Sequence, residues 1–405
     1  MTELTLRIAG MGRKGEGIAH HEGRTFFVPG TLAGEEVRAV GDGERLTAVE
    51  ITQASPDRIA AFCKHYRRCG GCQLQHWRGE PYGAWKAAIV EQQLAARGLA
   101  HKISTLIDAH GSGRRRVSMH VRREGGVVTA GFMEARSHAL LDIDACPILE
   151  PQLSRAFDIA RGLGARLGDC DVALTSTAAG IDASVKAERK VLAQEHARLA
   201  GLIPDLALAR LSVNGEIIAT AATPRLRMGR ADVALPPGSF LQATAEGEAT
   251  LARLVVEGMG KFKSAADLFC GIGPFAFRLA ERGKVEAYDN DRAAILALNA
   301  AAKATPGLKP IIGAARDLFR EPLVANEMKD IDAVVFDPPR SGAETQAKQL
   351  AKSKVKTVVA VSCDAGTLAR DAGILVGGGY RLTKLTAVDQ FKWSSHIEVV
   401  AVFVR

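Results

Sequence analysis

Between residues 264 and 404, short apolar runs alternate with amphipathic stretches, which is the pattern of an α/β fold. Helical patterns separate the first five runs, and such β-α-β units require a parallel sheet covered by helices on both faces. The last two runs have no sufficiently long helix between them and predict an antiparallel pair at the sheet edge. The predicted strands are residues 264–269, 284–289, 309–313, 331–337, 356–362, 381–388 and 397–404, and the predicted helices are about 274–282, 291–303, 315–327 and 343–352.

The preceding part of the chain has two other patterns. Residues 2–52 alternate apolar and polar positions in short runs separated by glycines, which predicts a five-stranded OB-like barrel, with a simple β-meander as the alternative. Residues 56–224 mix a helical stretch at 81–98 with β-like runs and predict an α+β domain. The expected domains are therefore an OB-like domain at 1–55, an α+β domain at 56–225 and an α/β domain at 226–405.

Composition narrows the class of protein. The 405 residues are 47% hydrophobic and 24% charged, which suits a globular chain of two or three domains. A net charge of +8 favours a polyanionic partner such as RNA. No apolar run approaches the roughly 18 residues that span a bilayer, and no secretion signal is present, so we expect a cytoplasmic protein without a membrane partner. Seven cysteines in such a chain predict reduced thiols that serve metal binding or catalysis.

A glycine turn follows the first strand of the alternating region. Gly271 and Gly273 let the backbone approach a ligand at the carboxyl end of that strand, where open α/β sheets bind nucleotides. The next strand ends at Asp289, a carboxylate placed to accept hydrogen bonds from two ribose hydroxyls. The turn lacks the third glycine of a dinucleotide site and the lysine of a P-loop, so it favours S-adenosylmethionine over a pyrophosphate ligand.

Two further strand ends carry chemistry. The fourth strand ends at Asp337, and two prolines fix a rigid turn directly after this carboxylate, which suits the presentation of a flat base. The fifth strand ends near Cys363, so a thiol lies on the same rim of the sheet. C5 of a pyrimidine is a poor nucleophile, and addition of a thiolate at C6 converts it into an enolate that attacks a methyl donor. The sequence therefore predicts Cys363 as the nucleophile of a C5 methylation.

The methylated C5 must then lose its proton, which requires a general base that faces this carbon. Glu398 and His396 lie two residues apart at the start of the last predicted strand, so their side chains point to the same side. The residues alone leave both open as the base.

A second group of cysteines lies in the central region. Cys63, Cys69 and Cys72 fall within ten residues, and Cys146 is a candidate fourth ligand. Four thiolates suit zinc or a [4Fe-4S] cluster. The five-residue spacing is less usual for zinc, and proline directly after Cys146 is similar to ferredoxin ligation, so the pattern favours the cluster.

Five motifs carry a family resemblance, namely CKHYRRCGGC, DLFCGIG, DPPRSG, VSCDAGTLARD and DQFKWSSHIE. With them the chain resembles the RNA 5-methyluridine methyltransferases, specifically the cluster-bearing type that acts on ribosomal RNA. The resemblance implies a C-terminal Rossmann-like class I methyltransferase domain, an N-terminal TRAM domain of the OB-like type that binds RNA, and a central α+β domain with the iron-sulfur site.

The same resemblance implies roles for individual residues. Cys363 would be the nucleophile and Glu398 the base. Together with the glycine turn at Gly271, the contacts to S-adenosylmethionine would come from Gln242, Phe269, Asp289 and Asp337, and the [4Fe-4S] ligands would be Cys63, Cys69, Cys72 and Cys146.

Basic residues concentrate in two segments outside the α/β region. Phosphate contacts combined with stacking on unpaired bases would use this composition. The cysteine loop contains Lys64, Arg67 and Arg68 with Tyr66 and Trp77 near, and the central region contains Arg114, Arg115, Arg116, Arg122 and Arg123.

The predicted function is S-adenosylmethionine-dependent methylation of uridine C5 in RNA, most directly 23S ribosomal RNA, by a monomer. Two enzymatic alternatives stay open, a transfer RNA uridine-C5 methyltransferase and an RNA cytosine-C5 methyltransferase. The alternative from another class is a non-catalytic iron-sulfur protein that binds RNA.

Overall fold

The computed structural model describes residues 2–405, which divide into two compact units. The first unit consists of residues 2–90, 132–143 and 391–396. The second unit consists of residues 91–131, 144–390 and 397–405. The division into three domains stays a prediction of the sequence.

The first unit contains an antiparallel sheet in the order β3-β2-β1-β4-β5. Its strands are β1 (Thr2–Met11), β2 (Glu16–His21), β3 (Arg24–Pro29), β4 (Glu36–Gly41) and β5 (Thr47–Gln53). The two edges of the sheet meet, because the Phe27 amide donates to Glu44 O at 2.8 Å and the Leu46 amide donates to Phe27 O at 3.0 Å. Alternate side chains such as Leu6 and Val28 fill the interior.

A separate apolar cluster of the first unit consists of Leu32, Leu74, Trp77 and Tyr82. Tyr82 lies in α1 (Gly79–Ala95), whose residues 91–95 are part of the second unit. The elements that follow in the chain are β6 (Thr105–Asp108), β7 (Arg116–Glu124), β8 (Val127–Met133), β9 (Leu140–Asp142), α2 (Ala156–Leu167), β10 (Cys170–Thr177), β11 (Gly180–Ala187), α3 (His196–Ala200), α4 (Leu202–Leu206), β12 (Leu208–Val213) and β13 (Glu216–Thr220).

In the second unit, a mostly antiparallel sheet has the order β13-β12-β11-β10-β7-β8. Only the pair of β11 and β12 in this sheet is parallel, and the helices α3 and α4 lie between these two strands in sequence. A buried ion pair joins the two strands, since the Arg210 guanidinium contacts Asp182 at 2.7 Å.

The larger sheet of the second unit has the order β18-β17-β16-β19-β20-β22-β21-β6. The elements that build it and its surroundings are β14 (Arg225–Met228), β15 (Ala231–Ala234), α5 (Ala245–Met259), β16 (Ser264–Leu268), α6 (Ala276–Leu279), β17 (Lys284–Asp289), α7 (Arg292–Ala304), β18 (Ile311–Ala315), β19 (Ala333–Phe336), α8 (Glu344–Lys352), β20 (Thr357–Ser362), α9 (Ala365–Gly377), β21 (Arg381–Asp389) and β22 (Glu398–Val404). The five strands β16 to β20 are parallel, whereas β22 is antiparallel to both β20 and β21.

The structure thus confirms the α/β sheet and the antiparallel final pair that the alternation of apolar and amphipathic runs predicts. The predicted helix at 315–327 is wrong, because turns occupy this segment. Pro322 has no amide hydrogen to donate, and the Arg316 guanidinium binds Pro322 O and the Glu327 carboxylate across the loop. The strand β6, which pairs in parallel with β21, and the helix α9 were not predicted.

Side-chain caps fix where the helices beside the rim begin. The Asp291 carboxylate accepts from two amides of α7, and the Asp364 carboxylate accepts from two amides of α9. The Thr244 hydroxyl accepts from the Gly247 amide at the start of α5. Within residues 2–405, no helix combines the length and the apolar content that crossing a bilayer requires.

Candidate active site

The candidate site lies at the carboxyl ends of the parallel strands in the second unit. The order of the strands reverses between β16 and β19, and open α/β sheets bind ligands at such a point. Asp337 directly follows β19, and Cys363 directly follows β20. Ser362 pairs with Val399 of the antiparallel β22, so the next residues outward along this register are Cys363 and Glu398. The antiparallel direction of β22 therefore brings Glu398 to the rim that carries Cys363.

The turn after β16 leaves space for a ligand against its backbone. Phe269 and Gly271 both have a left-handed backbone, with φ angles of 62° and 52°. A Cβ atom at Gly271 would meet no other atom within 4 Å. The Gly271 amide donates to Asp289 Oδ2 at 2.8 Å, and Asp289 Oδ1 accepts from the Asp291 amide at 2.8 Å. Asp289 therefore ties the glycine turn to the end of the next strand.

A chain of side-chain hydrogen bonds, here called the amide relay, connects Asp337 to Glu398. Gln242 Nε2 donates to Asp337 Oδ2 at 2.9 Å. Gln390 Nε2 donates to Gln242 Oε1 at 2.6 Å and to Glu398 Oε1 at 3.2 Å. Glu398 Oε2 is buried and has no hydrogen-bond partner within residues 2–405. The amide relay thus brings together Gln242, Asp337 and Glu398, three of the residues predicted from the sequence.

Gln390, the centre of the amide relay, was not among the predicted site residues. Its side chain is fully buried, and its Oε1 accepts from the Ala243 amide at 3.0 Å. Gly247 lies so close that a Cβ atom there would be 2.5 Å from Gln390 Oε1. A lone glutamine has no spacing signal in a sequence, and its position one residue after an apolar strand was the only clue.

An arginine that the sequence analysis assigned to RNA binding supports Gln242 instead. Arg115 Nε donates to Gln242 O at 3.1 Å, and Arg115 Nη2 donates to Glu248 Oε2 at 2.8 Å. Arg116 Nη1 donates to Ser239 O at 2.9 Å, a few residues earlier in the same loop. The prediction that this arginine cluster binds RNA phosphates is therefore wrong for Arg115, because its guanidinium is buried and paired with Glu248.

Carboxyl groups crowd the site, and burial shifts their pKa values upward. Burial raises the pKa of Asp337 to about 7 against the opposing effect of the Gln242 hydrogen bond. Burial and the charge of Asp337 raise the pKa of Glu398 to about 8. Burial and the charges of Glu398 and Asp337 raise the pKa of the Cys363 thiol to about 11, while Arg340 acts in the opposite direction. At neutral pH these values keep a proton on the thiol and favour one on Glu398.

The crowded carboxyl groups of the site suit the binding of a positively charged ligand. Fully buried Asp267, at the end of β16, has a pKa well above its usual range because of burial and the charges of Asp337 and Asp289. A sulfonium close to these carboxyl groups would lower their pKa values, whereas an anionic pyrophosphate would be repelled. The Phe269 ring lies 5.3 Å from the Phe319 ring, which is 40% exposed, beside the open backbone of the glycine turn.

The two candidate bases, Glu398 and His396, belong to different units. The amide relay ends at Glu398, which is 4% exposed in the second unit. His396 belongs to the first unit, where its ring lies 6.1 Å from the Phe391 ring. The amide relay therefore includes Glu398, and the choice between the two bases stays a prediction.

The cysteines predicted as cluster ligands form no disulfide bonds, and all four are half-buried. Cys63, Cys69 and Cys72 belong to the first unit and Cys146 to the second. The Gly71 amide donates to Cys69 Sγ at 3.4 Å, a contact that suits a thiolate. Within residues 2–405, however, no three cysteine, histidine or carboxylate side chains are grouped closely enough to hold a metal ion. The structure therefore shows no metal site among the described residues, and the [4Fe-4S] cluster stays a prediction.

Of the two aromatic residues predicted to stack on RNA bases, Trp77 is buried and Tyr66 is half-buried. Trp77 is 8% exposed, because it packs into the apolar cluster with Leu32 and Leu74. The Tyr66 hydroxyl donates to Gln73 O at 2.5 Å, and burial raises its pKa. The prediction is therefore wrong for Trp77, whose ring is packed inside the first unit, and it stays a prediction for Tyr66.

The fold and the site together define a class of protein. Three features are those of a Rossmann-like, S-adenosylmethionine-dependent methyltransferase. They are the strand order β18-β17-β16-β19-β20-β22, the glycine turn after β16 and the carboxylate at the end of β17.

Comparison with known proteins gives the family. Residues 234–405 match the family described as tRNA (Uracil-5-)-methyltransferase. An uncharacterized RNA methyltransferase of Brucella suis is 43% identical, over 100% of this chain and 98% of the relative. The 23S rRNA (uracil(1939)-C(5))-methyltransferase of Alkalilimnicola ehrlichii is 34% identical, over 99% of this chain and 96% of the relative. The chain therefore belongs to the RNA uracil-C5 methyltransferase family, and it is an S-adenosylmethionine-dependent enzyme that acts on RNA.

A solved structure shows the same fold. The tRNA (uracil-54, C5)-methyltransferase of Pyrococcus abyssi, in complex with S-adenosyl-L-homocysteine, superposes with a TM-score of 0.77 over 100% of both chains. Its sequence is 22% identical to this chain, so the likeness concerns the fold.

The pKa of Asp337 makes cofactor affinity dependent on pH. Because a cation is attracted to the ionised carboxylate, lowering the pH from about 8 to about 6 should weaken S-adenosylmethionine binding by up to about tenfold. Isothermal titration calorimetry across this range measures the effect. Asp337→Asn should bind more weakly and lose most of the pH dependence. A wild-type affinity that stays constant over the range would contradict the assignment of Asp337 to the cofactor site.

Proposed function

We propose that this enzyme methylates C5 of a uridine in 23S ribosomal RNA, with Cys363 as the nucleophile and Glu398 as the general base. The observation that carries the catalytic assignment is the register of β20 and β22. It places the thiol and the carboxyl group as neighbours on the rim, and Glu398 Oε2 is buried there without a hydrogen-bond partner among the described residues. The choice of 23S ribosomal RNA is supported by the relative that is 34% identical over 99% of this chain.

The reaction begins with covalent addition. The Cys363 thiolate attacks C6 of the uracil ring, the Sγ–C6 bond forms, and the π electrons of the C5–C6 bond move towards O4 as an enolate. S-adenosylmethionine, when bound, supplies a methyl group that is electrophilic because it is attached to a sulfonium. C5 would bond to this methyl group while the bond between the methyl group and sulfur breaks, its electron pair stays on sulfur, and S-adenosyl-L-homocysteine is the leaving group. The covalent adduct then carries both the methyl group and its original proton at C5.

The second half of the reaction requires the base. Glu398 removes the C5 proton through Oε2, because Gln390 already occupies Oε1. The electron pair of the broken C–H bond re-forms the C5–C6 double bond, and the C6–Sγ bond breaks. Cys363 leaves as a thiolate, and the proton remains on Glu398. The pKa of about 8 makes Glu398 a stronger base than an ordinary carboxylate once it is ionised, and the charge of Arg340 favours this ionisation.

Activation of the nucleophile depends on charge. The pKa of about 11 keeps Cys363 in the thiol form, so positive charge must approach before it reacts. The Arg340 guanidinium supplies one such charge, because it lowers the pKa of both Cys363 and Glu398. Arg340 follows the rigid Asp337-Pro338-Pro339 turn, so the turn that presents the base also carries this cation.

The residues that bind the cofactor are also part of this proposal. Gln242, Phe269, Gly271, Asp289 and Asp337 would hold S-adenosylmethionine, with Asp289 on the ribose hydroxyls. The closely spaced donors and acceptors of the amide relay and the glycine turn support this assignment.

Three further expectations from the sequence remain proposals. The five-stranded sheet of the first unit supports a TRAM domain at residues 1–55. The [4Fe-4S] cluster on Cys63, Cys69, Cys72 and Cys146 is supported by the cysteine spacing and by the absence of disulfide bonds at these residues. A monomer in the cytoplasm is the expected state of an enzyme that meets a large RNA.

The substrate is tested with labelled S-adenosylmethionine and RNA that lacks its own 5-methyluridine. The expected result is label in 5-methyluridine of 23S ribosomal RNA, mapped to one fragment, with no label from Cys363→Ala. Label in transfer RNA would move the assignment to the tRNA-specific alternative, and label in 5-methylcytidine would move it to the cytosine alternative. Absence of label with every RNA from a protein that binds S-adenosylmethionine would contradict the proposed activity.

Gln390 is expected to be a positioning residue for Glu398. Gln390→Leu keeps the side-chain volume but removes the amide that binds Glu398 Oε1. The carboxyl group of Glu398 then loses its fixed orientation, so kcat should fall on the order of tenfold to a hundredfold. The KM for RNA should stay near the wild-type value, and the pH profile of kcat should shift. The matched control is Gln346→Leu, since Gln346 is also fully buried but binds Leu323 away from the site. Equal kcat values for both variants would contradict this role.

A further inference from the structure

Phe62, Lys392 and Trp393 form a small surface of the first unit, here called the aromatic face, that no part of the proposed mechanism uses. The Phe62 and Trp393 rings meet edge to face, with centroids 4.8 Å apart and planes at 66°. Phe62 is 51% exposed, so about half of its side chain surface can be reached from solvent. Lys392 Nζ lies 5.4 Å from the centre of the Trp393 ring. The aromatic face therefore combines flat rings with a positive charge.

The backbone that carries Trp393 is held firmly in place. The Gln73 and Leu74 amides both donate to Trp393 O, at 2.8 Å and 3.0 Å, and the Trp393 amide donates to the Tyr82 hydroxyl at 2.9 Å. Trp393 has a left-handed backbone with φ of 63°, a conformation that costs free energy for a residue with a side chain. Three hydrogen bonds fix this strained residue, so the position of its ring is set before any ligand arrives, which favours binding.

Hydrogen bonds also fix the segment on either side of Trp393. Lys86 Nζ donates to Phe391 O at 3.2 Å, and the Ser394 hydroxyl donates to the same carbonyl at 2.7 Å. Ser395 is held as well, because its amide donates to Gln73 Oε1 at 3.3 Å. The aromatic face is thus built on a rigid turn.

The positive charge of residues 62–68, the segment that begins with Phe62, indicates which kind of partner the aromatic face would bind. Residues 62–68 contain Lys64, Arg67 and Arg68 and no acidic residue. Arg68 is 68% exposed at its side chain although it pairs with Glu134, so part of its charge faces solvent. An apolar peptide would find no use for these cations, whereas an unpaired nucleotide offers a flat base to the rings and a phosphate to the cations.

We propose that the aromatic face binds an unpaired base of the RNA substrate by stacking, with the neighbouring cations on the adjoining phosphates. The proposal rests on the proposed function, because it identifies how the same RNA is held. It also assigns the stacking contact to Phe62 and Trp393 in place of the buried Trp77.

The test compares full-length variants in RNA binding and in catalysis. Phe62→Leu keeps an apolar side chain without a ring and should raise both the Kd and the KM for RNA by roughly tenfold, since stacking on one aromatic ring has that effect. The kcat at saturating RNA and the melting temperature should stay unchanged. Phe62→Trp should restore binding to within about twofold of the wild type, because the larger ring preserves the stacking face. The matched control is Ile59→Ala, which removes another exposed apolar side chain of the same unit and should bind like the wild type.

A second readout reports stacking directly. RNA that carries 2-aminopurine at an unpaired position near the target uridine should lose fluorescence on binding to the wild type and keep it with Phe62→Leu. Unchanged Kd for Phe62→Leu, or an equal loss in Ile59→Ala, would overturn the proposal. Binding is measured without methyl transfer, so a wild type that binds RNA through Phe62 but makes no 5-methyluridine would overturn the proposed function and leave the aromatic face supported.

Discussion

The hydrogen-bonded amides of Gln242 and Gln390 are the contact on which the active site depends. They lie between the carboxyl groups of Asp337 and Glu398, and they connect the two by hydrogen bonds. Two buried carboxyl groups this close repel each other, and neutral amides allow both to be present while each keeps a defined orientation. Because Gln390 donates to one oxygen of Glu398, the other oxygen alone is left to accept a proton.

The rest of the second unit keeps the amide relay in register. The antiparallel β22 places Glu398 opposite the end of β20, and Thr244 caps α5 immediately after the loop of Gln242. Buried Arg115 then fixes the Gln242 carbonyl and is itself neutralised by Glu248. Arg115 and Glu248 have the residue types of a surface ion pair, but this pair is buried and supports the position of Gln242. The carboxyl groups of Asp337 and Glu398 can therefore keep two different positions on one edge of the sheet.

The sequence predicted the parts of this architecture that depend on local pattern. The strands β16 to β22 and their directions follow from apolar runs, and Asp337, Cys363 and Glu398 could be found because each stands at a strand end. Long-range contacts leave no such trace, so β6 was missed although it completes the sheet edge beside β21. Burial was equally invisible, since Arg115 and Trp77 have the residue types of an RNA-binding surface but are packed inside. Gln390 was missed because its importance lies only in what it contacts.

The central claim is that Cys363 forms the covalent bond and that Glu398 is needed only to break it. Its most direct test is intact-mass analysis of denatured mixtures of enzyme, RNA and S-adenosylmethionine. Glu398→Gln should accumulate a protein–RNA adduct whose mass includes the transferred methyl group, while Cys363→Ala should form no adduct. An adduct that persists in Cys363→Ala, or a Glu398→Gln variant that releases 5-methyluridine at the wild-type rate, would contradict the account.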